Sequence, residues 1–302
     1  QFGHQPSIYD RALTMTVSSE NTLARPLEGS RDDVPARELA VAALFAPVAN
    51  AVAALLLPLR VPPVAVLLAN VAAGILAAVA LGLEALVAAA VLVQLKTVLD
   101  NADGRLARVS GRATLAGRYL DTEADFVVNG VLFAMLGWLT GEPVLAAASF
   151  VALTLTLSVD FNLVELYREA HLRPSAPFAA SGTARERVLE RVYRLVFAPQ
   201  DRLVRAFSAR RLDRILAVEG DPRRRGAATL AYYDRGTLAV LANLGLSTQL
   251  LTLGVCLVLG VPVLYLWLAL AQVLVLPLLQ LRRERLAARE LRVGARLASP
   301  SL

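Results

Sequence analysis

The sequence has very little cysteine, histidine and lysine, and each shortage excludes a kind of site. A single cysteine, Cys256, rules out a disulfide framework and gives no metal-binding pattern. The two histidines, His4 and His171, are too few for a histidine metal site. Lys96 is the one lysine, so the positive charge of the chain comes almost entirely from arginine.

Apolar residues are what the sequence has in abundance. They make up 56% of the 302 residues, more than an ordinary soluble domain carries, which indicates a membrane protein. The net charge is +6, and the arginines cluster between and after the apolar segments. That distribution favours loops facing anionic membrane lipids, and we expect no nucleic-acid partner. Residues 1–33 are polar and lack a signal-peptide pattern, which predicts a flexible N-terminal tail.

Six apolar segments are long enough to cross a bilayer, which takes about 20 helical residues. They cover residues 64–83, 85–107, 115–139, 144–164, 237–259 and 261–281. The turns after the first, third and fifth segments are short and contain no Lys or Arg, whereas the opposite side is rich in arginine. By the positive-inside rule, both termini and the arginine-rich face are cytoplasmic. The sequence therefore predicts an all-α polytopic membrane protein with six transmembrane helices.

The remaining segments complete the predicted organisation. Residues 34–60 are expected to form an amphipathic helix in the membrane interface, with a short extra span as the alternative. Residues 61–281 are expected to form the six-span membrane domain. Within it, residues 165–235 are expected to be a cytoplasmic helical insertion between spans four and five. Residues 282–302 form a basic cytoplasmic tail.

Four aspartates lie at the predicted cytoplasmic ends of spans two and three. Asp100 and Asp103 are three residues apart, and Asp121 and Asp125 are four apart, so each pair shares a helix face. Carboxylates at bilayer depth cost roughly 2.5–3.5 kcal/mol each, about 10 kcal/mol for four. A chain tolerates that cost when the carboxylates bind something. Oxygen ligands suit Mg²⁺ or Mn²⁺, and two such ions form a clamp for phosphoryl chemistry.

The surrounding residues complete a known pattern, D-x2-D-G-x2-A-R-x8-G-x3-D-x3-D. Its eight fixed positions are Asp100, Asp103, Gly104, Ala107, Arg108, Gly117, Asp121 and Asp125. This resembles the signature of the CDP-alcohol phosphotransferase family, and all eight positions are present. The resemblance implies six membrane helices, a preceding interfacial helix and a cytoplasm-facing site. The chain departs from the family at residues 61–66, which lack the Asn and Thr that family members often carry there. Asn70 either replaces that Asn as a nucleotide contact or is a residue that packs between helices.

The resemblance also implies an activity and a role for each signature residue. Family members use a divalent metal, here two Mg²⁺ or Mn²⁺ ions, to transfer a phosphatidyl-type group from a CDP-linked lipid such as CDP-diacylglycerol to an alcohol. The reaction releases CMP and belongs to phospholipid synthesis. By this resemblance Asp100, Asp103 and Asp121 ligate metal, and Asp125 is a second-metal ligand and the general base. The residues implied for the cytidine diphosphate pocket are Gly104, Ala107, Arg108 and Gly117.

Three cations are candidates for contacting the acceptor: Lys96, Arg118 and Arg168. Lys96 lies four residues before Asp100 on the same face and is expected to pair with a carboxylate or bind an anion; the alternative is a lysine that reaches to the interface. For the arginines, the alternative is ordinary charge flanking a membrane helix. Arginines near the site favour a phosphorylated acceptor, but the sequence does not identify the alcohol.

Two other functions fit an aspartate-rich membrane protein less well. A divalent-cation transporter should carry acidic residues near mid-bilayer on several spans, whereas these lie at one end of two. A membrane prenyltransferase has differently spaced aspartate boxes without the Gly-x2-Ala-Arg continuation. The expected partners are a CDP-linked lipid, a polar alcohol and membrane lipids. Helical membrane enzymes often form homodimers, but no residue identifies a dimer face.

Overall fold

A computed structural model of the chain describes residues 36, 38–171, 191 and 197–298. The described residues form helices and turns and contain no strand. They belong to one compact unit, Val34–Leu302. The predicted tail, residues 1–33, lies outside the described residues, as does the segment 172–190 of the predicted insertion. The all-α prediction is confirmed.

Five helices make up the first part of this unit. A π-helical turn, Val41–Phe45, leads directly into α1. The helices are α1 Ala46–Leu56, α2 Pro63–Gly82, α3 Leu86–Val109, α4 Leu115–Thr140 and α5 Pro143–His171. α2 to α5 correspond to the first four predicted spans.

Six helices make up the second part. They are α6 Ala198–Leu216, α7 Pro222–Tyr232, α8 Arg235–Ala242, α9 Leu246–Val258, α10 Pro262–Ala271 and α11 Val275–Ala298. A 3₁₀ turn, Gln272–Leu274, joins α10 to α11. α6 and α7 are the described helices of the predicted insertion. Residues 282–298 of the predicted basic tail continue α11.

Five helical segments are long and apolar enough to cross a membrane, namely Pro63–Gly82, Ala116–Thr140, Pro143–His171, Pro222–Val258 and Pro262–Val293. The second predicted span, α3, is not among these five; it has 24 residues and is about 36 Å long. It is less apolar because it carries Lys96, Asp100 and Asp103. An all-α polytopic membrane protein follows from these helices.

The turns on the predicted outer side are tight, as the sequence indicated. α4 ends at Gly141, which has φ = +70° and precedes the proline that opens α5. Gly260 has φ = +71° between α9 and α10. This left-handed conformation favours glycine, which has no Cβ to clash with the carbonyl group. These turns fold consecutive spans into hairpins.

The fifth predicted span is not a continuous helix, because α8 and α9 are separated at residues 243–245. The break is held by the N-terminal segment: the Asn243 side-chain oxygen accepts the Leu39 N–H at 3.0 Å, and the Glu38 carboxylate accepts the Thr248 N–H. Gly245 permits the approach, since a Cβ there would lie 3.0 Å from Glu38 Oε2. Burial raises the pKa of Glu38, and the hydrogen bond from Thr248 opposes that shift.

Helices α6, α7 and α11 are joined through a buried arginine of α11. Arg283 is 3% exposed. Its guanidinium donates to the Tyr232 carbonyl of α7 at 3.1 Å and to Ser208 Oγ of α6 at 2.9 Å. It also donates to Gln280 Oε1 at 3.1 Å and lies 4.0 Å from the centre of the Tyr232 ring. One side chain thus links α6, α7 and α11.

We expect Arg283→Met to lower the free energy of unfolding by about 3 kcal/mol, because two buried polar groups and one partly buried group lose their partner. Unfolding in mixed detergent and SDS, followed by circular dichroism, measures this effect. Arg285→Met is the matched control, since that side chain is exposed on the same helix. Equal losses in both variants would contradict the linking role of Arg283.

Candidate active site

Three helices bring the signature residues together. α3 and α4 both pack against α2. Gly74 of α2 allows this approach, because a Cβ built there would collide with the Val128 side chain of α4 and lie 3.4 Å from Cδ of Lys96 on α3. By contrast, the backbones of α3 and α4 make few contacts with each other. The aspartates of α3 and α4 therefore meet through their side chains, while α2 supports both backbones.

Three of the four aspartates converge in the space between α3 and α4. Asp100, Asp121 and Asp125 each place a carboxylate oxygen so that all three oxygens lie within 4.8 Å of one another. The three side chains are neither fully buried nor fully exposed. Asp103 is not in this group; it is 6% exposed and lies one helical turn beyond Asp100. We refer to Asp100, Asp121 and Asp125 as the aspartate cluster.

Two polar side chains, Lys96 and Asn70, donate hydrogen bonds to the aspartate cluster. Lys96 is fully buried, with 0% exposure, and its Nζ lies 2.7 Å from Asp125 Oδ1. Asn70 of α2 donates its side-chain N–H to Asp100 Oδ1 at 3.1 Å. The lysine therefore pairs with a carboxylate, one of the two outcomes expected for it. Asn70 contacts a cluster aspartate, a position that fits a supporting residue better than a nucleotide contact.

Some carboxylate oxygens near the cluster have no hydrogen-bond partner among the described residues. Asp121 Oδ1 and Asp103 Oδ2 are both buried in this state. An unpaired buried carboxylate oxygen is costly unless a cation or donor satisfies it. Oxygen donors at this spacing match what Mg²⁺ and Mn²⁺ require. The residues present therefore fit a divalent metal.

The remaining signature residues border the α3–α4 turn. Arg108 is exposed and lies over Gly104, where an added Cβ would be 3.4 Å from Nη1 of Arg108. Ala107 is half-buried beside it. The N–H of Gly117 donates to Thr114 Oγ1 at 3.0 Å, which caps the start of α4. Gly117 thus has a structural role that the sequence pattern alone did not reveal.

A cavity of about 380 Å³ lies beside the cluster, between α4, α5 and the start of α6. Asp121 and Asp125 line it, together with Arg118, so one of the three acceptor candidates borders this space. Lys96 and Arg168 are not among its lining residues, and Arg168 pairs with Glu165 of its own helix at 2.9 Å. The structure thus separates Arg118 from the other two candidates.

Sequence reasoning missed most of this cavity. Its apolar wall includes Phe126, Phe150 and Phe197, and the Phe126 ring centre lies 5.3 Å from that of Phe150. Gln200 and Asp201 line its far side. No local pattern marks these two residues, because they lie in the insertion and come near the cluster only through the packing of α6 on α5.

Comparisons with known proteins agree with this geometry. Residues 46–188 match the family described as CDP-alcohol phosphatidyltransferase. Over 86 residues the chain is 35% identical to a protein of Thermococcus kodakarensis named bifunctional IPC transferase and DIPP synthase. That match covers 28% of this chain and 20% of the relative, so the chain spans about a fifth of the relative's length. No solved structure matches the chain.

The matched region contains α1 to α5 and therefore every signature residue, including the aspartate cluster. This match favours the transferase over the transporter and the prenyltransferase. It supports the transfer of a phosphate-linked group from a CDP-alcohol. Residues 46–188, a little under half of the chain, therefore resemble a CDP-alcohol phosphatidyltransferase domain, and this resemblance supports a phosphotransferase.

Proposed function

We propose that the chain transfers a phosphatidyl-type group from a CDP-linked lipid, CDP-diacylglycerol, to an alcohol and releases CMP. The observation that carries this proposal is the convergence of Asp100, Asp121 and Asp125 within 4.8 Å. A site at the end of membrane helices suits such a reaction, because the lipid chains stay in the bilayer while the nucleotide and a polar acceptor arrive from water. The arginine distribution supports a cytoplasmic site, with both termini on that side.

The proposed cofactor is Mg²⁺ or Mn²⁺, as two ions. Asp100, Asp121 and Asp125 would hold them, with Asp103 as a further ligand whose Oδ2 is buried without a partner among the described residues. Such ions would neutralise the diphosphate oxygens and stabilise the charge of the leaving CMP. Aspartate side chains of α3 and α4 would supply the ligands, and the packing of these two helices on α2 fixes their positions.

The proposed chemical step moves one proton and exchanges one P–O bond. Asp125 accepts the proton of the acceptor hydroxyl, whose oxygen forms a bond to the phosphorus that carries the lipid. The bond from that phosphorus to the bridging oxygen of the diphosphate breaks, and CMP leaves with this oxygen. Asp125 suits the role because it belongs to the cluster and also lines the cavity. The acceptor can then approach from the cavity.

The nucleotide is proposed to bind on the other side of the cluster, against Gly104, Ala107, Arg108 and Gly117. The guanidinium of Arg108 provides two parallel N–H donors for a phosphate. Arg118 is proposed to contact the acceptor. From the relative named as an IPC transferase and DIPP synthase we take the transferase class alone, because the shared part is a fifth of that protein.

Lys96 is proposed as a positioning residue for Asp125 and not as an acceptor contact. It is fully buried, and Nζ holds one oxygen of Asp125 at 2.7 Å. The other oxygen of Asp125 then remains for a metal ion and for the acceptor proton. The Lys96 stem is enclosed by Gly74 of α2, which leaves little freedom to the ammonium group.

Asp125→Asn should lower acceptor-dependent CMP release by roughly 10²- to 10⁴-fold, because an amide cannot accept the hydroxyl proton. The measurement uses purified protein with CDP-diacylglycerol, Mg²⁺ or Mn²⁺ and a panel of alcohols. Asp160→Asn is the control, a half-buried aspartate of α5 outside both cluster and cavity. Unchanged CMP release in Asp125→Asn would refute the assignment of the base.

Asp100→Ala should weaken Mn²⁺ binding at least about tenfold while leaving the helical circular dichroism unchanged. Titration of Mn²⁺ followed by electron paramagnetic resonance measures binding without any turnover. A fully retained Mn²⁺ signal in this variant would contradict the ligand role of Asp100.

Lys96→Met should destabilise the metal-free protein by about 3 kcal/mol, since it leaves the half-buried Asp125 beside like charges without its cation. Adding Asp125→Asn to this variant should recover part of that loss. Unfolding free energies of the two single variants and the double variant form a thermodynamic cycle. Additive effects would show that the two side chains are not coupled.

A further inference from the structure

One side of α6 combines exposed apolar and basic side chains. Leu203 and Phe207 are 72% and 56% exposed, and the exposed Arg210 and Arg214 follow Phe207 one and two turns later. Positions i, i+4, i+7 and i+11 share one side of a helix, so these four side chains form a single surface, the outward face of α6. The buried residues of α6 lie on the other side and are Ser208, Leu212 and Leu216.

Contacts with α5 place the outward face of α6 at the edge of the hydrocarbon layer. α5 begins at Pro143, directly after a tight turn on the predicted outer side. Asp201 accepts a hydrogen bond from Asn162, which lies about 28 Å along α5 from its start. Arg205 pairs with Glu169, which lies about 39 Å along α5. The hydrocarbon core of a bilayer is about 30 Å thick, so it ends between these two contacts.

The contact with α11 gives the same level. The apolar segment that ends in α11 begins at Pro262, and Arg283 lies about 32 Å along it. The Arg283 guanidinium donates to Ser208 Oγ at 2.9 Å, so the middle of α6 lies at this depth. The two apolar residues of the outward face therefore lie at the hydrocarbon boundary on the arginine-rich side. Its two arginines lie farther along the helix, toward the lipid headgroups.

The arginines of α6 divide into paired and unpaired ones. Arg205 and Arg211 face the protein and pair with glutamates of α5 and α11. Within the described part of the chain, Arg210 and Arg214 form no ion pair, not even with the exposed Asp213 of the same helix. A guanidinium at the level of the headgroups has lipid phosphate within reach, and it binds phosphate through two parallel N–H groups.

The order of side chains on this face matches a phospholipid with net negative charge. Large apolar side chains at the boundary suit acyl chains, and guanidiniums one and two turns farther suit a headgroup phosphate. A second copy of the chain fits less well, because a symmetric contact through this face would set the same arginines against each other. Each basic side chain near an anionic membrane surface corresponds to about fivefold enrichment of the anionic lipid.

We propose that the outward face of α6 binds an anionic phospholipid of the leaflet on the arginine-rich side. Leu203 and Phe207 contact its acyl chains near the glycerol group, and Arg210 and Arg214 bind its phosphate. None of these four residues belongs to the aspartate cluster or lines the cavity. The inference therefore does not depend on the proposed catalytic activity.

The test reads lipid contact from fluorescence quenching. Phe207→Trp in the full chain, combined with Trp138→Phe and Trp267→Phe, leaves a single indole, on the outward face. The protein is placed in nanodiscs of phosphatidylcholine that contain equal mole fractions of either brominated phosphatidylglycerol or brominated phosphatidylcholine. Bromine atoms quench an indole that they contact. Phosphatidylglycerol should quench as if it were at least about fivefold enriched at the indole.

Arginine variants of this protein test the role of charge. Arg210→Gln with Arg214→Gln should abolish the preference, so that the two brominated lipids quench equally. Arg210→Lys with Arg214→Lys keeps both charges and should retain most of the preference. Arg223→Gln with Arg292→Gln is the matched control, because these exposed arginines of α7 and α11 lie about 13 Å farther along their helices than the Arg283 contact. The control should leave the preference unchanged.

Four other outcomes would overturn the inference. No quenching by either lipid would show that protein, from the same chain or a second copy, covers the face. Equal quenching with both arginines present would show a lipid contact that does not select charge. Loss of the preference in the lysine variant would contradict the role of charge, and the same loss in the control would show an effect of net charge alone. None of these measurements uses turnover, so failure of the inference leaves the proposed function untouched.

Discussion

Mutual repulsion of carboxylates within a bundle of apolar helices is the constraint on which this structure depends. Two unit charges 4.8 Å apart repel by about 3.5 kcal/mol at an effective dielectric of about 20, and one oxygen of each cluster aspartate lies within this distance of the others. Lys96 and Asn70 offset part of this repulsion, each by holding one carboxylate oxygen. Three carboxylates with one ammonium group still carry excess negative charge. The helices are therefore assembled around a site that favours cations.

The aspartate cluster could be predicted from the sequence because its geometry is mostly local. Helical spacing places Asp121 and Asp125 on one face of α4, and a short turn joins α3 to α4 so that both helices pack on α2. The apolar segments and tight turns were predictable for the same reason, since hydropathy and glycine at positive φ act within a few residues. The spacing of residues along a helix does not predict the ion-pair partner of Lys96. Its helix face pointed to Asp100, but its ammonium group pairs with Asp125 on another helix.

The features that sequence reasoning missed depend on contacts between distant parts of the chain. The break between α8 and α9 lies within an apolar run, and hydropathy does not register it. Glu38 and Leu39, some 200 residues earlier, satisfy the backbone and side-chain groups exposed there. Gln200 and Asp201 likewise reach the cavity only because α6 packs on α5. Neither position carries a local pattern that indicates a site.

The two sides of the site are held by different kinds of contact, and this difference has a functional consequence. The cluster lies on α3 and α4, which pack along α2 and are embedded in a close-packed apolar core. The cavity's far wall lies at the start of α6, which is held by hydrogen bonds from α5 and by Arg283 of α11. Precise phosphoryl chemistry needs rigid support, whereas selectivity for an alcohol requires only a few placed polar groups. A substitution at the start of α6 should therefore leave the carboxylates of the aspartate cluster in place.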